Sequence, residues 1–220
     1  MRAVLTTPTA TPELRTRDAD RTQQAILRAA MAEFHALGLG GARMENIAER
    51  AAVNKRLIYY YFGSKEALFL LALETTYADI REAERALQLE SLDAPEALRR
   101  LVAFTWQHYL KHPEFLTLLN SENLHRAKHL KQSKRVREMN SPLVQMLGDV
   151  LERGRRDGVF RGGVDPVQLY ISIAGLAYFY LSNNPTLSTI FARDLMSPKA
   201  LAERLSHITE VVMGYLLIDR

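Results

Sequence analysis

The sequence contains no cysteine and only one tryptophan among its 220 residues. Without cysteine there is no disulfide framework, no thiolate metal site and no cysteine nucleophile. No apolar run approaches the ~20 residues of a membrane span, and the first residues lack the apolar core of a signal peptide. We therefore expect a cytoplasmic protein without a membrane segment. The lack of cysteine is compatible with that reducing compartment.

Motifs that would indicate an enzyme are also missing. The sequence has no GxSxG elbow, no Walker loop and no GxGxxG fingerprint. The glycine-rich segment 38–41 follows a predicted helix and not a strand, which disfavours a phosphate cradle. His125 and His129 have the i, i+4 spacing that can hold a divalent cation, with Glu122 three residues before them. We predict a protein that is not an enzyme and needs no cofactor, and we leave the metal question open.

The basic charge of the chain is concentrated at one end. Residues 1–65 contain ten Lys and Arg against six Asp and Glu, and residues 66–220 contain 19 of each kind. The whole net charge of +4 therefore lies in the first third. A basic segment joined to a neutral remainder suggests a polyanion-binding module attached to a second domain.

Apolar residues recur with helical spacing along nearly the whole chain, which predicts an all-α protein. The aromatic run LIYYYF also suits a strand, but it has no partner strand. We predict a flexible basic arm (1–17), a first helical domain (18–63) and a larger helical domain (64–220). The predicted helices cover residues 21–37, 45–51, 55–62, 64 to about 90, 95–111, a segment after Pro113, 143–156, 167–181 and 199–217, and SNNPTLS is predicted as a loop.

Residues 45–62, ENIAERAAVNKRLIYYYF, form a helix-turn-helix pattern. Asn54 is a good N-cap for the second helix, and Val53 and Ile58 can pack inward. Cations at a helix N-terminus oppose its dipole, but they are favourable if that end meets phosphates or guanine edges in a major groove. The alternative is a pair of solvated cations with packed tyrosines. The side chains left on the outer side are Lys55, Arg56, Tyr59 and Tyr60.

The wider stretch RTQQAILRAAMAEFHALGLGGARMENIAERAAVNKRLIYYYFGSKEALF resembles the N-terminal domain of the TetR family of transcriptional regulators. The resemblance implies that residues 18–63 form a three-helix DNA-binding domain and that residues 64–220 form an effector-binding and dimerisation domain. It also implies a homodimeric repressor that binds a palindromic operator and is released by a small-molecule effector. It also implies roles for single residues. Lys55, Arg56, Tyr59 and Tyr60 would face bases, and Arg43, Tyr61 and Lys65 would contact phosphates.

Three positions depart from the family pattern. Arg43 stands where a hydroxyl residue usually caps the second helix, so that cap is lost. Ala52 stands where glycine is usual, so the turn must avoid a positive φ or carry strain. Leu57 replaces a small or hydroxyl residue. We expect these changes to leave DNA binding itself in place, but they leave the operator sequence unspecified.

Two long apolar helices, about 167–181 and 199–217, are the predicted dimer surface. The first is apolar nearly all round, which indicates burial on more than one side. Two such helices from each subunit would form a four-helix bundle, as the resemblance also implies. The alternative is a core formed within one chain.

Aromatic and polar side chains between residues 106 and 129 suggest an effector pocket closed by the first dimer helix. Arg126 would clamp a carboxylate, so we expect an aromatic or heterocyclic carboxylate as effector. For each residue the alternative is an ordinary core or surface position. A different class of function is a helical ligand-binding or scaffold protein without operator-specific DNA binding. The predicted pocket residues are Trp106, Tyr109, Asn123, Arg126 and Tyr178.

Overall fold

The computed structural model describes residues 12–218, and the side chains of residues 18–218. The described residues form ten α-helices, two short 3₁₀ turns and one isolated β-bridge between Phe160 and Leu217, which confirms the all-α prediction. The chain divides into two compact units, Met1–Ala72 and Leu73–Arg220. Residues 1–11 of the predicted arm lie outside the described residues. Residues 12–17 were predicted as part of that flexible arm, but they belong to the first helix, which begins at Pro12 and not at residue 21.

The first unit contains α1 (Pro12–Gly41), α2 (Met44–Arg50), α3 (Lys55–Phe62) and the beginning of α4 (Lys65–Arg85). Regular helical geometry in α1 is interrupted at Gly38, which has a φ of 63°, as its predicted role of helix stop requires. Helix α2 packs against α1 and α3. The rings of Phe34 and Phe69 meet edge to face at 5.1 Å in the buried interior.

The second unit is a helical bundle around α5. Helix α5 packs against α7, α8 and α10, and its buried side chains include Leu98, Leu101 and Trp106. Four helix starts carry the prolines that the sequence placed there, at residues 95, 113, 166 and 198. The helices are α5 (Ala94–Lys111), α6 (Pro113–Leu124), α7 (Lys134–Arg156), α8 (Pro166–Ser182), α9 (Asn184–Ile190) and α10 (Pro198–Leu216).

Three further boundaries differ from the sequence prediction. Helix α4 ends at Arg85 and not near Glu90, because Gln88 adopts a left-handed φ of 50° before a 3₁₀ turn. Helix α7 begins at Lys134, where Ser133 accepts a hydrogen bond from the Val136 amide, so Pro142 lies inside the helix and not at its start. The segment SNNPTLS contributes α9, which has a proline in its first turn. No helix among residues 12–218 is both long and apolar enough to cross a lipid bilayer.

Gly154 allows the chain after α7 to fold back onto that helix. Gly154 lies in the last turn of α7, and its carbonyl accepts hydrogen bonds from the Val159 and Phe160 amides. The Phe160 ring is buried against it, and a Cβ at residue 154 would lie 2.1 Å from that ring. A side chain at this position therefore cannot be accommodated without moving the ring.

We expect Gly154→Ala to lower the free energy of unfolding by about 1–3 kcal/mol, because it forces overpacking against Phe160. Gly148→Ala in the same helix is the matched control, since its added Cβ would be 4.0 Å from the Pro166 ring. Removing that helix glycine should stabilise the protein by about 0.5–1 kcal/mol. Urea unfolding followed by circular dichroism measures both changes, and equal stabilisation by the two substitutions would contradict the packing described.

Candidate DNA-binding interface and effector cavity

The α2–turn–α3 segment holds one face of each helix inward and leaves the other accessible. Helix α2 buries Met44, Ile47 and Ala48, and α3 fully buries only Ile58. The Asn54 side chain accepts a hydrogen bond from the Arg56 amide at 2.8 Å, which confirms the predicted N-cap. The start and the rotation of α3 are therefore both fixed.

The predicted base-facing side chains lie on the accessible side of α3. Arg56 is exposed, Tyr59 is 42% exposed and Tyr60 is 80% exposed. Lys55 is half-buried and donates a hydrogen bond to Glu45 of α2, which raises the pKa of Lys55 and lowers the pKa of Glu45. Lys55 is thus held as a cation at the helix start, where it also lies over the Tyr59 ring at 5.8 Å.

The predicted phosphate contacts lie at the junction of α3 and α4. Gly63 separates the helices with a φ of 76°, a value that a residue with a Cβ adopts only under strain. Ser64 accepts a hydrogen bond from the Ala67 amide at 3.0 Å and so caps α4. Lys65, the first residue of α4, and Tyr61 are both half-buried, and free N–H groups at a helix start favour an anion.

Glu33 is a buried carboxylate that the sequence reasoning missed. One of its oxygens accepts hydrogen bonds from the Arg43 amide at 3.2 Å and from the Asn46 side chain at 2.8 Å. The Arg43 side chain is exposed and makes no capping hydrogen bond. A carboxylate from α1 therefore ties down the start of α2, but neither of these hydrogen bonds comes from a first-turn amide that a hydroxyl at residue 43 would cap. Glu33 is 10 and 13 residues away from its two partners in sequence, so no local pattern could predict these hydrogen bonds.

The five predicted effector residues do not form one site. Trp106 and Tyr109 are buried in the core, against Tyr180 and Phe115 respectively. Arg126 is exposed in the turn after α6, at a φ of 55°. Only Asn123 and Tyr178 come together, at a shallow cavity of about 460 Å³. The Tyr178 hydroxyl donates a hydrogen bond to the Asn120 side chain there.

A different cavity contains a buried ion pair that the sequence did not indicate. Its volume is about 270 Å³. Arg81 and Glu84 of α4 have side chains only 3% and 2% exposed, with Nη1 of Arg81 at 2.9 Å from Oε2 of Glu84. Burial raises the pKa of Glu84 to about 7, against the opposing effect of Arg81. The lining residues are Arg81, Glu84, Arg85, Arg135, Glu138, Met139, Pro142, Leu143 and Met146.

Glu122 and His129, considered above for metal binding, form a hydrogen-bonded turn. The Glu122 carboxylate is fully buried and accepts hydrogen bonds from the amides of His129 and Leu130 and from Nδ1 of His129 at 2.6 Å. His125 turns instead to the Ser121 carbonyl. Among the residues with described side chains, no group of three His, Asp or Glu is placed to hold a metal ion. Glu122 therefore organises the chain between α6 and α7.

Comparison with known proteins decides the family. Residues 26–72 match the family model described as bacterial regulatory proteins, tetR family, and residues 95–212 match that of the tetracyclin repressor-like C-terminal domain. The transcriptional repressor NicS of Pseudomonas putida is 43% identical over 200 residues, which cover 91% of this chain and 94% of NicS. This chain belongs to the TetR family. It is a DNA-binding transcriptional regulator, and the resemblance seen in the sequence is confirmed.

Two further relatives agree with this membership. The transcriptional repressor SCO4008 of Streptomyces coelicolor is 36% identical over 108 residues, or 49% of this chain and 53% of SCO4008. The crystal structure of the transcriptional regulator SCO4942 from the same organism superimposes with a TM-score of 0.67 at 25% identity, and covers 89% of this chain and 98% of SCO4942. The order of a helix-turn-helix domain followed by a helical domain is the one that the two family models describe.

Within the TetR helix-turn-helix, the turn resolves the alternative left open at Ala52. Ala52 has a φ of 53°, so it carries the strain. The left-handed conformation costs a residue with a Cβ about 1–2 kcal/mol. The Ala52 and Val53 amides nevertheless donate to the carbonyls of Glu49 and Ala48, both at 3.0 Å, so the turn is hydrogen-bonded in spite of this cost.

We expect Ala52→Gly to stabilise the chain by about 1 kcal/mol, because glycine removes the left-handed penalty. Ala51→Gly is the matched control, since Ala51 has a φ of −82° and gains nothing from glycine; it should lower stability by about 0.5–1 kcal/mol. Thermal unfolding of both variants measures the contrast. A lower melting temperature for Ala52→Gly would show that the turn is not strained.

Proposed function

We propose that this TetR regulator represses transcription as a homodimer bound to a palindromic operator and leaves the DNA when a small effector binds. The observation that carries the proposal is the accessible edge of α3, with Arg56, Tyr59 and Tyr60 exposed on a helix that is capped at its first turn. An exposed basic and aromatic helix edge of this size suits one major groove. A repressor that binds bacterial chromosomal DNA acts in the cytoplasm, so we propose that location for this protein.

In this proposal each residue has a separate task. Arg56 and Lys55 contact base edges, with guanine as the favoured partner of an arginine. Tyr59 and Tyr60 contact thymine methyl groups and neighbouring phosphates. Lys65 and Tyr61, together with the Arg43 side chain, bind the backbone and fix the register. Lys55 must exchange its hydrogen bond with Glu45 for one with DNA.

The dimer would form through α8 and α10. Both helices expose large apolar side chains, namely Val167, Ile171 and Phe179 on α8 and Val211 and Tyr215 on α10. Gly175 and Gly214 are also exposed, and each has open space beside it, so a neighbouring helix can approach closely. Apolar area of this kind normally marks an interface. Pairing two helices from each subunit gives the expected four-helix bundle, and the dimer then presents two copies of α3 to DNA.

The effector would be an aromatic or heterocyclic carboxylate, which binds the second unit and acts only if its affinity differs between the DNA-bound and free conformations. The alternative function, a helical scaffold without operator binding, would also contain an effector cavity, so the cavity does not distinguish the two functions. A scaffold would not require an exposed, capped α3 edge, which is why we favour the repressor. We propose no catalytic activity.

The experiment compares two substitutions on DNA from upstream of the gene and on unrelated DNA. Lys65→Ala should weaken binding on both DNAs alike, because a lost phosphate contact carries no sequence information. Arg56→Ala should cost about 1–3 kcal/mol on the operator and also relax the base preference at one position. Salt titrations of both variants by fluorescence anisotropy give the affinities.

Glu66→Ala is the control, since Glu66 is exposed next to Lys65 and removing its negative charge should not weaken DNA binding. If Lys65→Ala and Arg56→Ala both bind the upstream DNA like the unmodified protein, the assigned interface is wrong. If the unmodified protein binds both DNAs equally at every salt concentration, the scaffold function replaces the repressor.

A further inference from the structure

We propose that the cavity beside Arg81 is the effector site, and that Arg81 binds the carboxylate of a small aromatic acid by displacing Glu84. This inference rests on the proposed function, in that the chain must respond to an effector. It places the effector at residues of α4 and α7 that sequence reasoning did not select. It also gives Glu84 a role in the binding reaction.

Arg81 has unused hydrogen-bonding capacity in a buried position. Its Nη2 donates to the Tyr170 hydroxyl at 2.7 Å, and its guanidinium lies over the Tyr170 ring. Nη1 lies near Glu84 but is not aligned for a hydrogen bond. Within the described part of the chain, Nε and Nη1 of Arg81 and both carboxylate oxygens of Glu84 are buried without a hydrogen-bond partner. Four such atoms in one cluster are rare in a folded protein.

A purely structural ion pair would be expected to satisfy these atoms. Taking two charges out of water is repaid only when the geometry is good and further hydrogen bonds are made. Here the Tyr170 hydroxyl holds one side of the Arg81 guanidinium, and both Arg81 and Glu84 line the cavity. A planar carboxylate is the group that matches the two parallel N–H donors of such a fork.

The remaining walls define the rest of the ligand. Met139, Pro142, Leu143 and Met146 of α7 give an apolar surface, and methionine sulfur makes favourable contacts with aromatic rings. Pro142 has no N–H, so the carbonyl of Glu138, another lining residue, cannot receive its usual helical hydrogen bond. A volume of about 270 Å³ is just below the range of about 300–1,000 Å³ for drug-sized ligands. A one-ring acid fits these limits.

Carboxylate binding should be coupled to proton uptake. An anion on Arg81 removes the stabilising cation from Glu84 and places a second negative charge beside it, so Glu84 takes a proton from solvent. The pKa of about 7 in the unliganded protein makes this transfer inexpensive. The other charged or titratable groups around the pair lie on four helices. They are Tyr77 and Arg85 on α4, His108 and Tyr109 on α5, Arg135 and Glu138 on α7, and Tyr170 on α8.

The sign of the pH dependence follows from this coupling. Binding raises the pKa of Glu84, so the complex holds more protons than the free protein and affinity falls as pH rises above 7. With a free pKa of about 7, and with Glu84 protonated throughout in the complex, affinity should fall about 25-fold between pH 6.5 and 8.5. Near pH 7 each carboxylate bound should take up about half a proton.

The test uses the full chain with benzoate as the probe and benzamide as its uncharged match. Benzoate should raise the melting temperature by about 2–4 °C at concentrations several times its Kd, and benzamide should not. Calorimetry in phosphate and Tris buffers, which differ in ionisation enthalpy, counts the protons. No stabilisation by benzoate, or equal stabilisation by benzamide, would overturn the proposal.

Variants assign the effect to the pair. Glu84→Gln should keep benzoate binding but abolish proton uptake and the pH dependence. Arg81→Gln leaves Glu84 buried without its cation and is expected to lose stability, so the double variant Arg81→Gln/Glu84→Gln, which removes both charges, is also tested. It should fold, as shown by helical circular dichroism, and lose benzoate binding at least tenfold. Arg99→Gln on the exposed side of α5 is the control that should bind normally.

Two outcomes separate this inference from the proposed function. If the double variant binds benzoate like the unmodified chain while Arg126→Ala does not, the site is the turn after α6 and Arg81 is structural. If operator binding fails but benzoate binding follows the Arg81 and Glu84 pattern, the repressor function is wrong and the cavity assignment stands. The DNA assay can therefore overturn the repressor function without affecting the cavity assignment, and the ligand assay can overturn the cavity assignment without affecting the repressor function.

Discussion

The inward packing of Ile58 is the contact on which the DNA-binding surface depends. It is the one α3 residue that is fully buried, and it fixes the rotation of a helix only eight residues long. An isolated helix of that length is not stable in water, so tertiary packing must hold it. The Asn54 cap and the Glu33 hydrogen bonds to the start of α2 complete the support. Arg56, Tyr59 and Tyr60 are exposed as a consequence.

Helix α4 carries both of the chemistries proposed for this protein. Lys65 begins it, separated from α3 by Gly63 and Ser64, and Arg81 and Glu84 lie in its last turns. In the first unit its N-terminus offers free N–H groups and a cation to an anion, and in the second it supplies a buried, incompletely satisfied pair. An effector that reorganises this pair acts on the same helix that contributes Lys65. Such an effect requires different ligand affinities in the two conformations, whatever the route between the sites.

Local signals in the sequence predicted the fold well. Asn54, Gly63 and the prolines at 95, 166 and 198 mark helix ends through their own backbone chemistry, and each lies where that chemistry placed it. Pro142 misled the prediction of α7, because Ser133 supplies a stronger start and the helix tolerates the proline inside. The helix-turn-helix was predictable for the same reason as the helix ends: its spacing is local.

The candidate effector cavity was not predictable in the same way. Arg81 and Tyr170 are 89 residues apart in sequence, and nothing near either residue shows that they meet. Trp106 and Tyr109 have the composition of a pocket wall, but the packing of α5 at the centre of the second unit places them in the core. Glu33 likewise acts on a helix other than its own. Contacts that depend on tertiary packing leave no local pattern.

Hydroxyl-radical footprinting of the upstream DNA shows whether two copies of α3 contact one operator. We expect two protected regions on one face of the duplex, with centres separated by about 34–36 Å or a multiple of it. Phe179→Glu, which places a charge on the exposed face of α8, should abolish both regions together. A single protected region, or two that survive this substitution unchanged, would contradict operator binding by a dimer paired through α8 and α10.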